Sequence, residues 1–201
     1  MSQAIADAAS GDELVLESGG IHTEPFDTAY HIDKVLTIMA EEGAAEMPVL
    51  KMLSVARDAG NLPSFFIMND GSSLTLRGLE FDGLIDSPDT SNYETTRDLF
   101  HWPVRANHEI GSIKLYDCYV HNMENKIFAG YDSDISGMSN VNVDTLIFEN
   151  SLFKYVGGIK ARYVGLDYLK VENCTFWDMP GFGIYIRGGM RFSLTIAPFT
   201  M

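Results

Sequence analysis

Three cations and one tyrosine are the residues best placed to do chemistry. Lys160, Arg162, Tyr185 and Arg187 fall in two similar short segments, Gly158-Ile159-Lys160-Ala161-Arg162 and Gly183-Ile184-Tyr185-Ile186-Arg187. In both, apolar residues alternate with the others, the period of a strand with one buried face. Lys126-Ile127-Phe128-Ala129 and the stretch PSFFIM, ending at Met68, have the same character. Laid side by side, the four segments give two outward columns. One holds Phe66, Phe128, Lys160 and Tyr185, the other Met68, Gly130, Arg162 and Arg187. An arginine fork pairs with carboxylate or sulfate, and an aromatic face stacks on a sugar ring. That combination suits an acidic polysaccharide, contacted by Lys126, Phe128, Arg162 and Tyr185.

Catalysis on such a chain would ask for more. A uronate carboxylate must be neutralised before the proton beside it is abstracted and the 4-linked sugar expelled. Arg162 or Arg187 can neutralise, Lys160 can abstract and Tyr185 can donate to the leaving oxygen. Lys160 acts as a base only if its pKa falls well below about 10.4, and two neighbouring arginines push it that way. The plainer alternative is a solvated basic face that balances carboxylates such as Asp167 and Glu172. His22, His31, His101, His108 and His121 share no spacing, and none is assigned a role.

What must position these residues is a repeat. The phrase YLKVENCTFWDM, from Tyr168, recurs as SLTLRGLEFDGL from Ser73, SIKLYDCYVHNM from Ser112, TLIFENSLFKYV from Thr145 and a clipped SLTIAPFTM from Ser193. One apolar column is Leu74, Ile113, Leu146, Leu169, Leu194, and the next is Leu76, Leu115, Phe148, Val171, Ile196. A corner follows at Gly78, Asp117, Asn150, Asn173 and Pro198, then Leu79, Cys118, Ser151, Cys174 and Phe199. Successive copies start 39, 33, 23 and 25 residues apart. Each copy holds two strands of about three residues, bent at the corner, where Asn and Gly tolerate left-handed dihedrals. One copy cannot bury its apolar face, so copies must stack with like over like. A β-sandwich explains alternation but not one phrase recurring in one register. The fold predicted is all-β, a single-stranded right-handed parallel β-helix. The third-strand segments close each coil.

The remaining stretches fit around that solenoid. SQAIADAASGD is a short capping helix with Ala4, Ile5, Ala8 and Ala9 on its apolar face, stopped by Gly11. Leu14 to Leu16, Val35 onward and Val49 to Leu53 are further strands, ESGGIHTE is a turn, and Gly60 to Pro63 is a break. Asp82 to Arg105 is a long polar insertion, whose Tyr93, Phe100 and Trp102 either face a sugar or pack the loop onto the solenoid. YDSDISGMSN, from Tyr131, matches the first half of a calcium loop at Asp132, Asp134, Ser136 and Gly137. Val143 stands where a bidentate Glu should close it. A polar turn is therefore expected and no cofactor is assigned; calcium is the one ion the pattern admits. Cys118 and Cys174 share an inward column two coils apart, roughly 10 Å, too far for a disulfide, so two buried free thiols are expected.

Composition narrows the partners. The 201 residues suit one domain, and the net charge of −14 disfavours nucleic acid and anionic membranes. No apolar run approaches the roughly 20 residues of a membrane span. No secretory signal follows Met1. The expectation is an extracellular, periplasmic or cell-surface protein whose signal lies outside this chain. SLTIAPFTM stops where a coil has just begun, so the chain reads as the leading part of a longer solenoid or as one that self-associates through an uncapped last coil.

The opening AIADAASGDELVLESGGIHTE, with HIDKVLTIMAEEG and the VENCTF-type repeats, resembles the pectate-lyase-like β-helix proteins. It is most similar to the chondroitinase B and alginate lyase group and its uncharacterised relatives. The resemblance implies a parallel β-helix acting on polysaccharides, a Lys base, an Arg one coil later and acidic calcium ligands beside them. Arg187 matches the Arg by position. Lys160, on the preceding coil, stands 27 residues before it, a longer step than in the family. The acidic calcium-binding segment is replaced by Tyr155-Val156-Gly157-Gly158. The resulting expectation is a carbohydrate-associated module that binds acidic polysaccharide without catalysis. A polysaccharide lyase using Lys160 and Arg187 is the first alternative, and a structural or adhesive spacer the second.

Overall fold

The computed structural model describes residues 1–25, 29–53, 64–86, 95–96, 98–101, 108–123, 126–129, 141–161, 164–179, 184–186 and 191–195, for some of them, including Lys126, Phe128, Lys160 and Tyr185, the backbone alone. After a helix, α1 (Ser2–Asp7), the chain winds into coils that each give one strand to three sheets. The first sheet contains β1 (Glu13–Leu16), β4 (Val35–Ala40), β7 (Ser73–Arg77), β10 (His108–Tyr116), β13 (Val141–Glu149), β16 (Val164–Glu172) and β19 (Arg191–Thr195). The second contains β2 (Ile21–Pro25), β5 (Val49–Leu53), β8 (Glu80–Asp86), β11 (Tyr119–His121), β14 (Leu152–Lys154) and β17 (Thr175–Trp177). The third contains β3 (Tyr30–Ile32), β6 (Ser64–Met68), β9 (Asp98–His101) and β12 (Lys126–Ala129), and beyond it β15 (Ile159–Ala161) pairs with β18 (Ile184–Ile186). Neighbouring strands are parallel throughout, and the only antiparallel bridge among the described residues joins Leu84 to Thr95. The molecule is an all-β parallel β-helix.

The columns read from the sequence are the register of the first sheet. Leu36, Leu74, Ile113, Leu146 and Leu169 lie opposite one another in turn, as do Ile38, Leu76, Leu115, Phe148 and Val171, and all ten are buried. Each corner turns in the left-handed region: φ is 64° at Gly78, 54° at Asp117, 51° at Asn150 and 52° at Asn173. That geometry aims each corner N–H along the stack. Gly78 donates to the Tyr116 carbonyl at 3.0 Å, Asp117 to Glu149 at 3.1 Å and Asn150 to Glu172 at 3.0 Å. Past the corner, Cys118, Ser151 and Cys174 lie in line. The Cys118 N–H donates to Ser151 Oγ at 3.1 Å, and both cysteines are free.

The helix covers the first coil as expected, though Ile5 is its only buried residue. It ends at Asp7, and the Lys34 ammonium donates to the carbonyls of Ile5, Ala6 and Ala8 at 3.0–3.3 Å, satisfying its orphan C-terminal acceptors.

Several expectations are corrected. ESGGIHTE is not all turn: Ile21–Pro25 is β2, in register with β5. Its inward Glu24 and exposed Ile21 invert the usual alternation, which hid the strand. The inward Glu24 carboxylate is held by the Met1 amine and the Ser2 N–H, which keep its pKa lowered although burial opposes this. In the first sheet β10, β13 and β16 reach nine residues, because His108-Glu109-Ile110, Val141-Asn142-Val143 and Val164-Gly165-Leu166 extend them ahead of the repeated phrase. The insertion at 82–105 contains the end of β8 and all of β9. Within it Phe100 is core, stacked on Phe66 with ring centroids 5.5 Å apart; Tyr93 and Trp102 lie outside the described residues. Gly60 to Pro63 and the calcium-like segment from Asp132 to Gly137 lie outside them too.

Candidate functional site

The third-strand face is where the sequence placed the chemistry. Lys160 in β15 lies directly opposite Tyr185 in β18. The Ile127 N–H donates to the Gly158 carbonyl at 3.1 Å. By the slant of a parallel ladder this sets Ile127 opposite Ile159, and Phe128 opposite Lys160. Phe128 in turn faces Phe100, and Lys126 faces Asp98, on β9. Phe128, Lys160 and Tyr185 therefore share one row of backbone positions, as predicted. Arg162 and Arg187 lie outside the described residues.

The start of that row differs from expectation. The sequence columns put Phe66 and Met68 outward, whereas both are fully buried. Tyr30, Phe66 and Phe100 form a run of inward rings, and Phe66 also meets Phe81 edge-on at 5.8 Å. The reason is that Phe65 and Phe66 are adjacent and equally apolar, so alternation carries no parity there. Both find a buried environment, Phe65 packing on Phe81 at 5.6 Å.

A polar cluster that the sequence did not suggest lies on the outer face of the second sheet. Lys51, Asp82 and His121 stand in one row across β5, β8 and β11. Lys51 Nζ is 3.1 Å from Asp82 Oδ2, and His121 Nε2 is 2.9 Å from Glu80 Oε1. The Asn122 amide donates to Asp82 Oδ1 at 2.9 Å and meets His121 Nδ1 at 2.8 Å. A carboxylate only accepts, so Asp82 turns the Asn122 NH₂ inward. His121 Nδ1 is then an acceptor and Nε2–H the donor to Glu80. The Tyr119 ring lies flat on His121, with centroids 4.3 Å apart. Burial raises the Asp82 pKa, but hydrogen bonds from Asn122, the Leu84 N–H and Lys51, with His121 nearby, outweigh it and leave the carboxyl below its ordinary value. The Tyr119 hydroxyl is pushed up by burial and by Glu80 and Asp82. Both nitrogens of His121 are committed, so the cluster ties three coils together and leaves no base free. Its members lie up to 70 residues apart in the chain, between Lys51 and His121, and no sequence spacing announces it.

On the first sheet's outer face, Lys170 bridges Glu149 at 2.8 Å and Glu172 at 2.5 Å, so Glu172, one of the two carboxylates named for the basic-face alternative, is already paired. At the corner between first and second sheets a shallow pocket of about 320 Å³ is lined by Met47, Arg77 and Asp117 among others, with the Arg77 guanidinium 4.4 Å above the Tyr116 ring. Among the described residues no group of three or more His, Cys, Asp or Glu could hold a metal ion. Among the same described residues no helix is long and apolar enough to cross a membrane.

Two solved structures of the PL6 family alginate lyase AlyGC, one an arginine-to-alanine mutant, have similar folds. The mutant superposes with a TM-score of 0.52 at 21% identity, and the other with 0.51 at 22%. In each case the match covers 88% of this chain and 23% of the lyase chain, so this chain spans about a quarter of the proteins it matches. No protein-family model and no curated protein matches it. At these identities the likeness establishes the parallel β-helix that this chain shares with alginate lyases.

Proposed function

We propose that this β-helix is a carbohydrate-associated module that binds an acidic polysaccharide across the third-strand face, outside the cell, and that it does so without cleaving it. The observation that carries the reading is the pairing of Lys160 with Tyr185 on adjacent strands, in the row that runs through Phe66, Phe100 and Phe128. Ile159 and Ile184 continue the row of buried Ile127, while Lys160 and Tyr185 take the row that Phe66 and Phe100 fill in earlier coils. Lysine and tyrosine seldom replace core phenylalanines without partners. Arg162 and Arg187 follow each strand directly and add two guanidinium forks. The likeness to alginate lyases, alginate being an acidic polysaccharide, supports the same ligand class.

A lyase with Lys160 as base and Arg187 as the group that neutralises the uronate is the second reading, favoured by the same likeness. The absence of a carboxylate from Tyr155-Val156-Gly157-Gly158 argues against a calcium-assisted version. One experiment separates the two. Alginate, polygalacturonate and chondroitin sulfate are each incubated with the protein and assayed for retention by affinity electrophoresis and for ultraviolet absorbance of an unsaturated product. Retention without absorbance, lost in Lys160→Ala/Arg187→Ala, supports the binding module. Absorbance lost in the same variant supports the lyase, and retention unchanged in the variant rejects the face.

A further inference from the structure

We infer that the far end of the second sheet carries a second glycan contact, an aromatic platform formed by Trp177 and Tyr155 with Lys154 as its cation. The inference rests on the glycan-binding reading above and adds a surface to it on a different sheet. Its first support is exposure. Trp177 is 59% exposed and Tyr155 54%, and they are the only aromatic residues among the exposed large hydrophobics of the described chain. They sit on neighbouring coils, where the Tyr155 N–H donates to the Trp177 carbonyl at 3.1 Å.

The second support is backbone conformation. The ends of β11, β14 and β17 turn through a second left-handed corner, with φ of 58° at Asn122, 53° at Tyr155 and 50° at Asp178. Asn and Asp are suited to that region; a tyrosine is not, and holding it there is unfavourable. A residue kept against its preference, with its ring turned to solvent, is the pattern expected at a binding surface. The third support is charge. Lys154 lies in register with Trp177, its ammonium 5.3 Å from the ring centroid. Unlike Lys34, Lys51 and Lys170, it forms no ion pair among the described residues. It is therefore available to the carboxylate of a sugar ring held against Trp177. Beneath the platform Phe153 and Phe176 stack nearly parallel, centroids 4.9 Å apart, which fixes the strands that carry it.

The test uses the whole chain and alginate, polygalacturonate and chondroitin sulfate as probes, with dissociation constants measured for Tyr155→Asn, Trp177→Ala and Lys160→Ala/Arg187→Ala. Tyr155→Asn puts a residue suited to the left-handed region at the corner, so it is expected to raise the unfolding midpoint while weakening binding. Each aromatic substitution is expected to weaken binding by up to roughly tenfold, the scale of one aromatic contact. If both leave affinity within twofold while Lys160→Ala/Arg187→Ala abolishes it, the platform is rejected and the third-strand reading stands. If the aromatic variants weaken binding and the cation variant does not, the platform stands and the third-strand face is rejected. If the unaltered chain retains none of the three glycans, both fall.

Discussion

Asn173 donates its side-chain amide to Oδ1 of Asn150 at 3.2 Å, one coil away, while both residues hold left-handed backbones. The corner thus has two layers of hydrogen bonding, a backbone one at Gly78, Asp117 and Asn150 and a side-chain one between the paired asparagines. Asn150→Ala is expected to cost about 1–2 kcal/mol, because alanine does not tolerate the left-handed region. Asn150→Gly keeps the turn and loses only the amide bond, about 0.5–1 kcal/mol. Urea unfolding midpoints of the two variants check this; equal losses would mean that the conformation contributes nothing.

Phe66 is the centre of the inward aromatic run on the third sheet. Phe66→Ala should destabilise by about 3–5 kcal/mol, the range for emptying a buried ring site. Its neighbour Ile67, partly exposed in the same strand, should lose only about 1 kcal/mol as Ile67→Ala. A reversed order in denaturant titrations would restore the outward assignment of Phe66.

The two thiols differ in access. Burial pushes the Cys118 thiol up to about 12, and the partly buried Cys174 thiol is raised as well, again by burial. Neither forms thiolate at neutral pH. Labelling of the native chain with a thiol reagent should be slow, with Cys174 reacting before Cys118, and both should react at once in denaturant. Mass spectrometry of peptides from timed aliquots reads the order.

Asp82 links the fold to pH. Its pKa is lowered on folding from an ordinary 3.8, so the unfolded chain binds the proton more readily. The stabilisation is therefore complete above that ordinary value and disappears as pH falls through the folded one. Asp82→Asn should lower stability at pH 7 by about 1–2 kcal/mol and flatten the decline that sets in as pH falls below the ordinary carboxyl value. Unfolding free energies measured at stepped pH would show an unchanged acid limb if the carboxylate contributes nothing.

Gly83 passes so close to the next coil that an added Cβ would sit 2.2 Å from the Asn122 carbonyl oxygen. Gly83→Ala should cost about 1–3 kcal/mol through displaced backbone and loosen the Asn122–Asp82 contact beside it. Calorimetric melting of the variant tests the first effect. The second would show as a weaker acid limb, since Asp82 would lose its first supporting hydrogen bond.

Much of this was legible in the chain itself. Leu74, Ile113, Leu146 and Leu169 align by eye because stacked coils present one environment repeatedly, and repetition of environment selects repetition of residue type. The left-handed corners at Gly78, Asp117, Asn150 and Asn173 could be read for the same reason, since few residue types accept that backbone. Tertiary structure alone decided the rest. Adjacent Phe65 and Phe66 carry no parity, so only the packing around Phe81 and Phe100 shows that both are buried. β2 was hidden because its inward residue is Glu24 and its outward one Ile21. Glu80, Asp82, His121 and Lys51 meet because winding sets distant segments one strand spacing apart, and that distance is a property of the coil rather than of any local spacing in the chain.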